Sequence, residues 1–225
     1  MTINAVIFDF AGTLFRLVQD TTAWTADDGT PLDEATCEQL IHRLTNPDGA
    51  AIGLHGAYLD AFQQRDLDPA LHRKAYLEVL RQFGITEPDV AAAIYESTID
   101  VESWLPYPDT GKALKAVNAN GIAVGVLSNI AWDIRPAFTT RGFDAAVDEF
   151  VLSYEAGMIK PDPAVFRLML QRLGVTAAQT LMVGDSPAAD GAATALGCAF
   201  AAVDPAPLTD RPDGLLTALR EHDIR

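Results

Sequence analysis

Short runs of apolar residues, each closed by a turn-forming residue, recur along most of the chain. Residues 3–8 form the first and end at Asp9; Ile122–Leu127, Phe150–Leu152, Thr180–Val183 and Cys198–Val203 follow. Runs this short and continuously apolar suit strands covered on both faces of a parallel sheet. Stretches of helical period separate most of them. Asp109–Asn120 stops at Gly121, Asp162 caps a helix that begins at Pro163 and stops at Gly174, and Ser186 and Pro187 open another that stops at Gly197. Proline just inside a helix start and glycine just past its end match the preferences of helix termini. Alternating strand and helix predict a doubly wound α/β sheet.

Residues from about 16 to 100 break this alternation. Asp33–Thr45, His55–Gln64, Pro69–Phe83 and Glu87–Ile99 have helical period with no comparable strand among them, and Asn46-Pro-Asp-Gly49 reads as a turn between the first two. The pattern predicts an all-helical insertion over 16–100 into a core formed by 1–15 and 101–225. Two covalent crossings would then make a hinge, and the crevice beside it a natural ligand site.

Composition narrows the function. The 225 residues carry 31 acidic against 16 basic side chains, a net charge of −15. So acidic a protein repels phosphate backbones, which argues against nucleic acid and anionic membranes as partners. An anionic small substrate would need local help from a metal, a lysine or a helix N-terminus. Cys37 and Cys198 lie far apart and match no metal-ligand spacing, so both are expected to be buried free thiols. The N-terminus shows no signal-peptide pattern and no apolar run approaches the ~20 residues that span a bilayer. A soluble, cytoplasmic protein is expected, with no signal for a particular oligomeric state.

In an open α/β sheet, ligands bind outside the carboxyl ends of the strands. The first strand delivers Asp9-Phe10-Ala11-Gly12-Thr13, the second Ser128-Asn129, and the fourth Gly184-Asp185-Ser186 with Asp190 beyond; Lys160 precedes the Asp162-Pro163 helix start. Two carboxylates meeting without a cation would repel, and one would have to hold a proton. Mg²⁺ removes that conflict, since it prefers carboxylate, carbonyl and water oxygens. A nucleophile, a metal, a lysine and hydroxyl donors are the parts that phosphoryl transfer requires.

These residues resemble the haloacid dehalogenase superfamily of aspartate-nucleophile hydrolases, in the branch with a helical cap inserted after the first motif. Phe8-Asp9-Phe10-Ala11-Gly12-Thr13-Leu14 is similar to the first motif, Leu127-Ser128-Asn129 to the second, Lys160-Pro161-Asp162-Pro163 to the third, and Val183-Gly184-Asp185-Ser186 through Asp190 to the fourth. The resemblance implies a Rossmann-like core with a helical cap domain and Mg²⁺-dependent hydrolysis of a small phosphorylated metabolite, with specificity residing in the cap. It implies Asp9 as nucleophile and metal ligand, and the backbone carbonyl of Ala11 and the carboxylate of Asp185 as further ligands. Thr13, Ser128, Asn129 and Lys160 would hold the transferring group, Lys160 would also offset the charge on Asp9, and Asp190 would support the metal by hydrogen bonding.

One position departs from the family. Most of its phosphatases carry a second aspartate two residues after the nucleophile, which protonates the leaving oxygen and then activates water. Here that position is Ala11. General acid–base catalysis is worth about 10²–10⁴-fold, so the substitution implies a slow or specialised phosphohydrolase. Three alternatives stand beside it. One is a non-catalytic phospholigand-binding or regulatory protein. Another is a phosphonatase-type carbon–phosphorus hydrolase, disfavoured because the first part of the insertion, Ala23–Asp60, has no lysine for an imine. The third is a haloacid dehalogenase, disfavoured because those enzymes lack the Gly-Asp-Ser motif and need no metal. Within the insertion, Arg16, Asp27, Asp28, His42 and His55 are candidate substrate contacts, and His55 is the foremost replacement acid.

Overall fold

The computed structural model of the chain describes residues 2–45 and 53–225. It divides into two compact units, one of Met1–Arg16 with Trp104–Arg225 and one of Leu17–Ser103.

The first unit is built on a five-stranded sheet of β1 (Ala5–Phe8), β4 (Ala123–Ser128), β5 (Glu149–Leu152), β6 (Thr180–Gly184) and β7 (Ala199–Ala202). The strand order is β5-β4-β1-β6-β7, and each recorded pairing is parallel. β1 is the central strand, flanked in register by β4 (Phe8 beside Val126) and β6 (Phe8 beside Val183). Its four residues are all buried, as are the five of β6, which accounts for the unbroken apolar runs in the sequence. All strands point the same way, so their carboxyl ends share one edge.

Helices cover both faces. On one, Val165, Phe166 and Met169 of α8 (Pro163–Leu173) pack with Ile7, Leu127 and Met182 of the sheet. The Asp162 side chain caps α8 by accepting from Ala164 N at 2.8 Å, and Gly174 ends it with φ +66°, as its sequence predicts. An aromatic cluster fills another part of this unit, with the Phe10 ring 4.9 Å from Phe15 and 5.0 Å from Trp104. α5 (Thr110–Ala119), α6 (Arg135–Thr139), α7 (Ser153–Ala156) and α9 (Gly214–Arg220) complete the unit.

Two features differ from the sequence expectation. The helix expected from Ser186 to Gly197 is a set of turns followed by a 3₁₀ helix over Gly191–Leu196. Here Asp190 folds back, its amide donating to Ser186 O at 2.7 Å and its carboxylate accepting from Ser186 N at 3.0 Å. That closes a tight loop where an α-helix would have run. In addition, β2 (Phe15–Leu17) and β3 (Trp104–Pro106) pair as a small two-stranded sheet, too short to leave a periodic signal.

The second unit is helical: α1 (Glu34–Thr45), α2 (Ala57–Gln63), α3 (Pro69–Gln82) and α4 (Pro88–Ile99), around a core that includes Leu40, Phe62, Val79, Leu80 and Ile94. Beyond Leu17, the last residue of β2, the extended pairing among its described residues is one isolated bridge, Thr25 with Pro31. The expected Asn46–Gly49 turn lies outside the described residues. No described helix is long and apolar enough to cross a membrane, and Cys37 and Cys198 are free and buried.

His72 of α3 is buried, stacked on Tyr76 at 4.2 Å, with Nδ1 3.0 Å from Tyr95 Oη. Burial, helped by the nearby Arg65 charge, pulls its pKa down to about 3. The unfolded chain binds this proton near pH 6.5 and the folded chain does not, so unfolding takes up a proton between those values. Stability therefore falls as pH drops below about 6.5, at up to ~1.4 kcal/mol per pH unit from this group. Urea unfolding of the protein and of His72→Gln between pH 7 and about 5 checks this; the substitution should flatten the slope by close to one proton.

Candidate active site

The shared carboxyl edge of the sheet gathers the polar residues. Asp9 follows β1, with its amide donating to Val183 O at 3.0 Å, which locks it to the end of β6. Asp185 follows β6, and Asp190 returns from the closed loop just beyond. Carboxylate oxygens of Asp9, Asp185 and Asp190 lie within 4.8 Å of one another. Asp9 and Asp190 are buried, and Asp185 is partly exposed.

Lys160 reaches the same point from the loop before α8 and is only 4% exposed. Its Nζ donates to Asp9 Oδ1 at 2.6 Å, to Asp190 Oδ1 at 2.6 Å and to Leu127 O of β4 at 3.0 Å. An ammonium has three donors, and all three are used. Burial disfavours its charge, but Asp9 and Asp190 together hold the pKa above the ordinary lysine value. Lys160 is therefore a fixed positive charge.

The carboxylates outnumber it. Burial pushes the Asp9 pKa up to about 7, with Asp190 and Asp185 adding to the rise and Lys160 opposing it. Burial and Asp190 likewise raise Asp185, against Lys160. Charges a few ångströms apart near a protein surface repel by about 4 kcal/mol per pair, and one ammonium cannot offset three carboxylates. A divalent cation would. The donors are all hard oxygens, with no histidine or cysteine in the group, which suits Mg²⁺ better than zinc.

The turn after Asp9 is shaped for this approach. Gly12 has φ +71°, and a Cβ there would stand 2.5 Å from Asp185 Oδ2, so only glycine lets the turn come so close. Next to it, Thr13 is fully buried and its hydroxyl has no hydrogen-bond partner among the described residues. An unsatisfied buried hydroxyl costs about 1–3 kcal/mol, a cost that a bound anion at this edge would remove. Ser128 ends β4 and is buried.

Asn129 behaves differently from the sequence expectation of a direct ligand contact. Its side chain grips the backbone of Lys160, Oδ1 accepting from Lys160 N at 2.7 Å and Nδ2 donating to Lys160 O at 2.9 Å. It holds the lysine in place. Of the residues expected to touch substrate from the insertion, His55 is exposed in the loop before α2. Asp27 accepts from the amides of Thr86 and Glu87, Asp28 from Thr30 N, and Arg16 donates to the carbonyls of Pro205 and Ala206. The sequence reading missed two partners, the Leu127 carbonyl that takes the third lysine proton and Arg211, which donates to the carbonyls of Gly12 and Thr13. A backbone acceptor leaves no trace in a motif, and Arg211 sits in a polar stretch that reads as solvated loop.

Comparison with known proteins places the chain by family and fold. The family model for haloacid dehalogenase-like hydrolases matches residues 3–197. A phosphoglycolate phosphatase of Rhodospirillum rubrum is 31% identical over 86% of this chain and 76% of its own length. A phosphoserine phosphatase of Thermus thermophilus is 29% identical over 52% of this chain; that alignment spans 47%, about half, of the relative. Among solved structures, L-2-haloacid dehalogenase of Xanthobacter autotrophicus superposes with a TM-score of 0.67, covering 96% of this chain and 83% of that one at 23% identity, a likeness of fold.

The shared ammonium gives a stability prediction. Removing one partner of a buried ion pair typically costs about 3–5 kcal/mol, because the other charge stays buried and unpaired. Lys160→Met should lose that much in denaturant unfolding in EDTA, and Lys160→Met with Asp190→Asn should recover part of it. Equal losses in the single and double variants would mean the lysine acts through packing alone.

Proposed function

The chain belongs to the haloacid dehalogenase-like hydrolases, and from that premise we propose that it is a Mg²⁺-dependent hydrolase of a small phosphorylated metabolite, acting through an aspartyl-phosphate on Asp9. The observation that carries this reading is the excess of hard carboxylate oxygens at the sheet edge over the one ammonium that serves them. The phosphatases among its relatives support phosphate esters as substrates.

In this reading Asp9, Asp185 and the backbone carbonyl of Ala11 would hold the metal, which when bound supplies charge neutralisation and polarises the transferring phosphoryl group. Lys160 engages Asp9 Oδ1, which favours the ionised carboxylate and leaves Oδ2 as the attacking atom. Oδ2 forms a bond to phosphorus as the ester P–O bond breaks, and the leaving oxygen departs with that electron pair. The Thr13 hydroxyl, unsatisfied among the described residues, would donate to a phosphoryl oxygen, as would that of Ser128 at the end of β4. Water then attacks phosphorus, releasing phosphate and restoring the Asp9 carboxylate. Asn129 and Asp190 position Lys160, and Asp190 thereby also supports the metal site.

Ala11 carries no proton to the leaving oxygen and offers no base for the attacking water. Leaving groups that are stable as anions are therefore favoured, and the aspartyl-phosphate should be long-lived. The same residue is what favours the second reading, a protein that binds a phosphorylated ligand without turnover. A phosphonatase reading finds no support in Lys74, which is exposed on α3 and lies over the Tyr58 ring.

Turnover of p-nitrophenyl phosphate separates the readings, because its phenolate needs no acid. Activity should require Mg²⁺ and fall to background in Asp9→Asn. Outlying partners of metal ligands alone are worth about 10–100-fold in metal affinity or activity, so Asp185→Ala should raise the Mg²⁺ requirement by more than about tenfold. Undiminished turnover of this ester in EDTA would contradict the Mg²⁺ requirement, and ligand binding without turnover would favour the regulatory reading.

Ala11→Asp tests the missing carboxylate. Turnover of alkyl phosphates should rise and its dependence on leaving-group acidity flatten, with the gain held below the ~10²–10⁴-fold ceiling of acid–base catalysis because the pocket was not shaped for the new group. A loss on every substrate, with fold and Mg²⁺ binding intact, would show that alanine serves the native chemistry.

A further inference from the structure

The family match ends at residue 197, yet the segment beyond it reaches back to the turn that carries Asp9. Val203 N donates to Gly184 O at 3.0 Å, and Tyr107 Oη donates to Ala206 O at 3.1 Å. Pro205 lies against Gly12, its Cβ 3.1 Å from where a Gly12 Cβ would stand. Arg211 then closes on the turn. It is 5% exposed, its guanidinium lies 3.1 Å from the centre of the Tyr107 ring, and Nη1 donates to Gly12 O at 2.7 Å and to Asp204 O at 2.9 Å. Nη2 donates to Thr13 O. Burial opposes its charge, and the Tyr107, Asp109, Asp185 and Asp204 side chains favour it.

Gly12 makes such a brace necessary. It has to be glycine, because Asp185 Oδ2 and Pro205 occupy the space of any side chain. Glycine is also the residue with the most backbone freedom to lose, and here it stands between Asp9 and the unsatisfied Thr13 hydroxyl. With no side chain of its own to pack, Gly12 is fixed through its peptide groups, its N–H donating to Phe15 O at 2.8 Å and its carbonyl accepting from Arg211. A guanidinium is suited to that, being a planar fork whose donors are preorganised, and Arg211 places two nitrogens on two successive carbonyls.

We propose that Arg211 is a positioning residue of the catalytic turn, holding the Gly12 and Thr13 peptides so that Asp9 and the Ala11 carbonyl stay in metal-binding register with Asp185. The inference rests on the phosphohydrolase reading and adds a residue outside the family's matched region to it.

Position and charge predict opposite signs. Arg211 is a cation on the turn beside the site, so neutralising it would by charge alone strengthen the attraction of the site for Mg²⁺. If Arg211 positions the turn, neutralising it weakens Mg²⁺ binding. The test titrates Mg²⁺ alone into the full chain and into Arg211→Met and Arg211→Lys by calorimetry. It also measures kcat and KM for p-nitrophenyl phosphate at saturating Mg²⁺, well below each variant's Tm. Arg211→Met should bind Mg²⁺ and turn over about 10–100-fold more weakly, the range expected for groups that orient metal ligands. The loss should fall in kcat rather than KM, as expected for an interaction needed only in the transition state. Arg211→Lys, which keeps the charge and loses the fork, should fall between the two. If Arg211→Met does not fold, a weaker Mg²⁺ affinity and lower kcat in Arg211→Lys decide for positioning. Unchanged or tighter Mg²⁺ binding with unchanged kcat, whatever the drop in Tm, overturns the proposal and leaves Arg211 a structural anchor. A native chain that neither binds Mg²⁺ nor turns over phosphate overturns the functional reading itself, whereas a competent native chain with unaffected variants overturns only the role of Arg211.

Discussion

The Lys160 ammonium, shared between Asp9 and Asp190 at 2.6 Å each, ties the sheet edge together. Moving a bare ammonium or carboxylate into the interior costs several kcal/mol even after relaxation, and only close geometry with full hydrogen bonding repays it. That requirement leaves little freedom. Asp9 must sit at the end of β1 and Asp190 must fold back in the closed loop beyond β6. The Lys160 backbone is held by Asn129 at the end of β4, and the Leu127 carbonyl must take the last proton. Three strands and two loops are brought into register by one buried charge.

The same arrangement leaves the site short of positive charge, and its chemistry follows from that imbalance. Burial and acidic neighbours raise the Asp9 pKa against the pull of Lys160, and a bound cation would favour the ionised carboxylate further. In the proposed reading, ionised Asp9, the Thr13 hydroxyl and the oxygen-only donors would together form a phosphoryl-transfer site. Ala11 is the exception within it. It leaves the electrostatics of the site untouched and removes the proton carrier, so it bears on the choice of leaving group more than on binding.

Much of this could be read from the sequence. β1, β4 and β6 are legible because strands buried on both faces must be apolar throughout, and α8 because Asp162, Pro163 and Gly174 mark its ends. Asp9, Lys160, Asp185 and Asp190 are legible because the carboxyl ends of parallel strands meet at one edge. What stayed hidden depends on tertiary contacts. The stretch from Ser186 to Gly197 has helical punctuation, but the Asp190 carboxylate takes the Ser186 amide and a lysine, and the chain turns instead. Asn129 carries the residue type of a ligand donor and spends both ends of its amide on a neighbouring backbone. Arg211 stands in Thr-Asp-Arg-Pro-Asp-Gly, a composition that reads as exposed loop, and its burial comes from the ring of Tyr107, far away in sequence.

The account stands or falls on Asp9 as a nucleophile toward phosphorus, and acid-quench peptide mass spectrometry tests this directly. The protein, mixed with p-nitrophenyl phosphate and Mg²⁺ and quenched within the first turnovers, should carry a phosphoryl group on the peptide containing Asp9. Ala11, which offers no base for its hydrolysis, should let the adduct accumulate, and EDTA should prevent it from forming. Turnover that proceeds with no adduct on Asp9, or an adduct that forms equally in EDTA, would contradict the account.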